Sequence, residues 1–358
     1  MKISLAEANK FIKEIFLHIG CTENESNIIS EVLLSAEKRG IPSHGIIRIK
    51  DYLGLWEKKR ITIRPQIEVV RETPTTLLID GDNCLGMLAA EKAMRLCIEK
   101  ASHSYTAWAA IRNSNHFGIA GYYSMMALEH DMIGISMTNA NPLVAPTFSI
   151  DRLLGTNPLA VAIPAKNEAP FVADFATTPI ARGKLEILEK SNKTVEYGFI
   201  QDKFGNPSND PAILKDGGAI LPLGGDYLHA SHKGFCMSAI IDIFSSVLSG
   251  ANFGPFVPPQ VAYLEPNSVQ PGKGLGHFFG AMRIDAFQTA DEFKESMDVW
   301  IQTFKKARTS KEHSHIVIPG EPERLSEDYA EIHGIDVQEE IVTELSNTLK
   351  RLSIPISL

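Results

Sequence analysis

The order of elements along the chain predicts an α/β protein with a discontinuous helical domain built from both chain ends. Two observations carry the prediction. Residues 1–60 and a polar stretch at about 336–352 place apolar residues at helical spacing, while short strand-like runs broken by glycines and Asn-Pro steps fill the middle. The 358 residues leave room for two such units, on a prior of roughly 100–200 residues per domain.

The first helix follows Ser4 and Glu7, which form a capping box. Leu5, Ala8, Phe11, Ile12 and Ile15 lie on one face, and Gly20 is the stop. Thr22 and Glu25 repeat the box before Ile28, Ile29, Val32, Leu33 and Ala36. A third helix is expected from Ser43 through Trp56. "QIEVVRETPTTLLIDGD" reads as two strands around Pro74, followed by a helix over 87–103. "YTAWAAIRNSNHFG", "DMIGISMTNAN", "RLLGTNPLAVAIPA" and "APFVADFATT" read as further strands, and helices are expected at about 234–250 and 291–307.

Composition narrows the function classes. With 35 Lys and Arg against 43 Asp and Glu, the net charge of −8 argues against nucleic-acid binding. "FCMSAIIDIFSSVLSGA" carries Asp242 and several serines, so no membrane span is expected. Four scattered cysteines without a CxxC pair, and a start without an apolar leader core, point to free thiols in the cytoplasm.

Several constellations could carry chemistry. In "IPSHGIIRIKDYL", a helix capped by Ser43 puts His44, Arg48 and Tyr52 four residues apart on one face, a row able to grip a carboxylate. Taken alone, such a row is also what a solvated polar face looks like. Gly45 within it points to close approach of a ligand or another backbone. His116 can exchange a proton near neutral pH, with Asn113, Ser114 and Asn115 to fix its tautomer, or it can be a satisfied histidine at a strand end. Thr178 followed by Pro179 reads as a helix start suited to phosphate, with Arg182 and Lys184 one turn in. Asp174 could accept from a ribose hydroxyl or an amide, or pair with Arg182. Lys233 precedes an apolar helix, where an anion would offset its unfavourable position. His313 and His315 read as a solvated loop, and no metal site is expected. No GxGxxG follows a strand; "PGKGLGHFFG" has His277 where the third glycine should stand.

Seven motifs occur in one order: "SHG" at 43–45, "NSNHFG" at 113–118, "MTNANPLVAP" at 137–146, "GTNPLA" at 155–160, "ADFATTPIARGK" at 173–184, "HKG" at 232–234 and "PGE" at 319–321. Together they resemble the non-Rossmann malate/L-lactate dehydrogenase family, over nearly the whole chain. The resemblance implies an unusual, largely antiparallel nicotinamide-binding sheet and a homodimer. It places a helical substrate and dimerisation domain at 1–70 plus 300–358 and an α/β cofactor-binding and catalytic region at 71–299. It implies His116 as proton donor and acceptor, with Ser43, His44, Arg48, Tyr52 and Thr156 at the substrate. Asn139, Asn141, Asp174, Phe175, Ala176, Arg182 and Lys233 fall at the cofactor, with NAD preferred to NADP. The substrate is expected to be a small anionic 2-hydroxy or 2-oxo acid, malate or oxaloacetate first. The L-lactate, sulfolactate, ureidoglycolate, diketogulonate and cyclic-imine branches are the alternatives. A non-catalytic anion- or nucleotide-binding protein is the rival reading. The sequence departs from the family in "GGDYLHASHKG", where Gly224 and Gly225 stand apart from the "HKG", and in Phe175, where methionine is frequent.

Overall fold

The computed structural model describes residues 1–356. The chain opens with a short strand β1 (Lys2–Ile3), then helices α1 (Leu5–His18) and α2 (Glu23–Lys38). Both expected capping boxes form: Ser4 with Glu7, and Thr22 with Glu25. The apolar faces bury Phe11, Ile12, Ile15, Ile29, Val32 and Leu33.

The third helix is shorter than the sequence suggests. Residues 42–44 and 46–48 form two 3₁₀ turns, and α3 (Ile49–Glu57) begins only after them. Ser43 is therefore not its cap. The break falls at Gly45, because the Glu37 carboxylate lies against its Cα. A Cβ there would come within 2.1 Å of Glu37 Oε1, and the same oxygen accepts from the Ile46 N–H at 2.7 Å. A side chain, not a ligand, explains that glycine.

Strands β2 (Glu68–Glu72) and β3 (Thr76–Asp80) form the expected hairpin around Pro74. Helix α4 (Gly86–Ser104) then crosses to β4 (Thr106–Ser114), which lies parallel to β3. That is the connection a parallel pair requires. After α5 (Ala120–Met126) come β5 (Met132–Thr138), β6 (Leu159–Ile163) and β7 (Phe171–Phe175), then α6 (Arg182–Lys190). A small three-stranded sheet holds β8 (Ile200–Gln201), β9 (Pro207–Ser208) and β10 (Ala219–Ile220). Helix α7 (Ser231–Asp242) runs on into a π-helical turn at 243–247. The chain ends with β11 (Leu275–Arg283), α8 (Ala290–Lys305), α9 (Glu321–His333), β12 (Ile335–Asp336) and α10 (Glu339–Arg351). Strand β12 pairs with β1 and so ties the two chain ends together.

The main sheet has the order β2-β3-β4-β11-β5-β6-β7, and every neighbouring pair except β3 and β4 is antiparallel. The expectation of a largely antiparallel, non-Rossmann sheet holds. Its central strand, β11, is not among the strands expected from the sequence, where "PGKGLGHFFG" is weighed only as a failed GxGxxG turn. Gly276 and Gly280 are there for close approach: a Cβ on Gly280 would strike the Trp108 ring, and one on Gly276 the Ser245 carbonyl. Ala107, Ala109, Ile111, Phe279 and Ala281 face the main core with α4, whereas Ala110, Met137 and Phe278 pack with Ile241 of α7. The main core joins α1 to α5 with residues of α9 and α10, so both chain ends pack on the same sheet face. Helix α9 is absent from the sequence reading.

A second helix start also moves. The Thr178 hydroxyl donates to the Ile180 carbonyl, and Thr177 is pinned to the Thr156 and Asn157 carbonyls, so this stretch bends without forming a helical turn. Helix α6 starts at Arg182 instead, which puts Arg182 at its first position rather than a turn inside.

Candidate active site

His116 stands just after β4, in the loop before α5. Its Nδ1 lies 2.8 Å from Tyr52 Oη, and the Gly118 N–H approaches the same nitrogen at 3.3 Å. The ring stacks on His44, centroids 5.4 Å apart. Nε2 has no partner among the described residues and is not sealed in the interior. It is the ring nitrogen left for exchange with a bound molecule.

His44, Arg48 and Tyr52 converge on this ring even though no continuous helix carries them. Tyr52 comes from α3, where it is buried and packs on Phe16 of α1. His44 comes from the first 3₁₀ turn, its Nδ1 2.9 Å from Ser43 Oγ. Arg48 folds back: Nε donates to the Ser43 carbonyl at 2.7 Å, and Nη1 pairs with Asp51 Oδ2 at 3.0 Å. This leaves Nη2 without a partner among the described residues.

His44, Arg48 and His116 line a cavity of about 100 Å³ with Ser43, Phe117, Thr156, Pro158, Val261 and Leu275, whereas Tyr52, expected at the substrate, is buried outside that lining and touches His116 from behind. Residues 138–141 form one side and 181–183 another. A second cavity of about 630 Å³ adjoins it, sharing Asn141, Leu143 and Arg182 as walls.

Burial sets the charge states. It pushes His44 down to about 3, helped by the Arg48 charge, and holds His116 well below the ordinary histidine range, with His44, Arg48 and His277 adding to the effect. Both rings are neutral at pH 7. Burial raises the Tyr52 phenol, which therefore keeps its proton.

The sequence reading missed His277. It lies on β11, fully buried, with Nδ1 2.7 Å from Thr138 Oγ1 and Nε2 2.8 Å from Ser114 Oγ. Its ring stacks on Phe117 at 4.7 Å and 2°. It thus holds from behind the residue that follows His116, and joins the segment to β5. Burial brings it to about 3. The nine-residue run "LGHFFGAMR" was itself a strand signal that the glycines concealed.

The expected cofactor residues separate. Asn139 is buried and lines the cavity, but its amide is spent on Asp242, the Asn252 carbonyl and the Gly276 N–H. Asn141 lines both cavities, and its side chain has no partner among the described residues. Arg182 also lines both. Asp174 does not line either: its Oδ2 accepts from the Gly121 N–H at 2.8 Å, and burial raises it to about 6. The alternative that Asp174 pairs with Arg182 is overturned, since Arg182 binds Glu186 and Tyr263. Phe175, Ala176 and Lys233 also stand outside the lining of the His116 cavity. Lys233 is exposed in the first turn of α7.

A nicotinamide fits what is present. Phe117, Pro158, Val261 and Leu275 offer apolar surface for a flat ring, and Asn141 offers an unspent amide to a carboxamide.

Comparison with known proteins agrees. A profile of the malate/L-lactate dehydrogenase family matches residues 3–346. The chain is 38% identical over 345 residues to a malate dehydrogenase of Pyrococcus horikoshii, covering 96% of this chain and 93% of that one. It is 36% identical over 357 residues to a malate/(S)-sulfolactate dehydrogenase of Methanothermus fervidus, covering 100% of both. The crystal structure of a malate dehydrogenase from Entamoeba histolytica superimposes with a TM-score of 0.92 at 33% identity, covering 100% of this chain and 99% of that one.

Proposed function

The chain belongs to the malate/L-lactate dehydrogenase family, and on that premise we propose that it interconverts malate and oxaloacetate with a nicotinamide cofactor, NAD before NADP. It is an oxidoreductase acting on a hydroxy acid. The observation that carries the finer reading is the open Nε2 of a neutral His116, beside Arg48, in a cavity sized for a small acid.

Nicotinamide, when bound, accepts or supplies the hydride. Asn141, with the backbone of 139–141, would hold its carboxamide end. During oxidation His116 takes the hydroxyl proton at Nε2. The ring proton then sits on Nδ1 and donates to Tyr52 Oη, at the expense of the long Gly118 contact. During reduction the imidazolium returns the proton and stabilises the developing alkoxide. Arg48 takes the C1 carboxylate through its unpartnered Nη2, a charge-assisted bond. Thr156 and Ser43 close the pocket around the reacting carbon.

On this reading the enzyme is a homodimer. Ile240, Ile243, Phe244, Val247 and Leu248 are all exposed along one run of α7 and its π turn, an apolar surface that a second copy would cover. Among the described residues no helix is long and apolar enough to cross a membrane.

The test is loss of absorbance at 340 nm with NADH or NADPH and a panel of oxaloacetate, pyruvate, sulfopyruvate and piperideine-2-carboxylate. Oxaloacetate should be the fastest substrate. The name of the M. fervidus relative gives sulfopyruvate second place, and preference for it would move the assignment to the sulfolactate branch. Cofactor binding without turnover of any acid would revive the binding-protein reading.

A further inference from the structure

The cavity around His116 has two guanidinium groups in its wall, Arg48 and Arg182. Arg48 reaches it from the turn before α3, and Arg182 from the first position of α6. They share a neighbourhood: the charge of Arg182 acts on Asp51, the carboxylate that pairs with Arg48. Arg182 is held by two bonds, Nε to Glu186 Oε1 and Nη2 to Tyr263 Oη, both 2.8 Å. Nη1 has no partner among the described residues. The guanidinium is thereby oriented but not used up.

One carboxylate on Arg48 leaves Arg182 facing the rest of a cavity of about 100 Å³. A four-carbon diacid presents a second anion to it; a monoacid such as pyruvate presents a methyl group. We propose that Arg182 is the residue that selects substrates with a second acid group, carboxylate or sulfonate, by binding that distal group. The assignment rests on the 2-oxo acid reading above. It takes Arg182 away from the cofactor phosphate, the role that the family resemblance suggests. A forked guanidinium suits either distal group, and loss of a charge-assisted bond changes affinity by about 10- to 100-fold.

Steady-state kinetics of the full-length protein and its Arg182→Gln variant test this with oxaloacetate, sulfopyruvate and pyruvate. The expected result is a loss of about 10- to 100-fold in kcat/KM for the preferred diacid and a change below about 3-fold for pyruvate. KM for NADH and NADPH should stay within about 2-fold. Which of oxaloacetate and sulfopyruvate suffers more identifies the distal group. Arg182→Lys, which keeps the charge without the fork, should fall between wild type and the Gln variant. An equal loss for diacid and pyruvate, or a rise in KM confined to NADPH, overturns the proposal. If the wild-type protein turns over none of these acids, the reaction reading fails separately, and calorimetric titration with malate and lactate still decides the role of Arg182. A wild-type preference for malate that disappears in Arg182→Gln supports it. Equal binding of the two acids by the wild-type protein overturns it.

Discussion

The two walls of the His116 cavity are built in opposite ways. The inner wall is His116 with its ring contacts: His44 stacked on it, Tyr52 bonded to it, and His277 stacked on the adjacent Phe117. These groups come from α3, the 3₁₀ turns, the loop after β4 and the central strand β11, all seated on the main core. The outer wall is Arg182 with Glu186 and Tyr263, side chains that reach into solvent. Dehydration on the inner side holds the imidazoles neutral, which a base requires. Exposure on the outer side leaves a guanidinium charged and adjustable, which suits selection among anions. On the proposed reading, proton transfer belongs to the first wall and selection of the distal acid group to the second.

The largest break in that contrast should come from His116→Asn. Losing the proton-transferring group should lower kcat by about 10²- to 10⁴-fold with cofactor affinity nearly unchanged, as measured by fluorescence titration. A variant with normal kcat would remove His116 from the chemistry. Next is Arg48→Ala, expected to cost about 1.5–3 kcal/mol in kcat/KM, chiefly through KM, if its bond is equally strong in ground and transition states. A loss in kcat alone would make Arg48 a transition-state group instead.

The third prediction concerns acid stability of the inner wall. His44, His116 and His277 have pKa values lowered by folding, so the unfolded chain binds more protons below pH 6.5. Their contribution is intact above that pH and falls as pH drops below it, toward about 3 for His44 and His277. Glu37 and Asp174 are raised to about 7 and about 6, so they take up protons first in the fold and work the other way. The net decline between pH 6.5 and about 4.5 is therefore shallow. Glu37→Gln removes one opposing group and should steepen the decline by about 1.4 kcal/mol per pH unit. Urea melts at pH 6.5, 5.5 and 4.5 check it; an unchanged slope would mean Glu37 is charged in the native protein. The smallest effect is expected at the outer wall, where Glu186→Gln should shift stability by less than about 1 kcal/mol in thermal melts. A larger loss would show the rim to be part of the core and collapse the contrast.

Much of this was readable in advance where the signal is local. The boxes at Ser4 and Thr22 are complete within four residues, and both form. Residue types near the site were also readable, since His44, Arg48, Tyr52 and His116 do meet. The reason given for their meeting was incomplete: a helix from Ser43 was expected, and Glu37, eight residues upstream of Gly45, breaks it. Thr178 looked like a cap because capping is judged from neighbours in sequence, yet its hydroxyl is engaged by Ile180 and Thr177 is tied to the distant Thr156 loop. No strand is expected at β11, because the reason for its glycines, the Trp108 ring and the Ser245 carbonyl, lies far away in sequence.

The sequence by itself determined the family, the fold class and the chemical kinds of group at the site, because these follow from local periodicity and from motifs kept in one order. Only the tertiary structure decided that His277 stands behind Phe117, that Asp174 turns to Gly121, and that Arg182 faces the same cavity as Arg48. Those are contacts between segments far apart in the chain. They depend on strand register and packing, which no local pattern encodes.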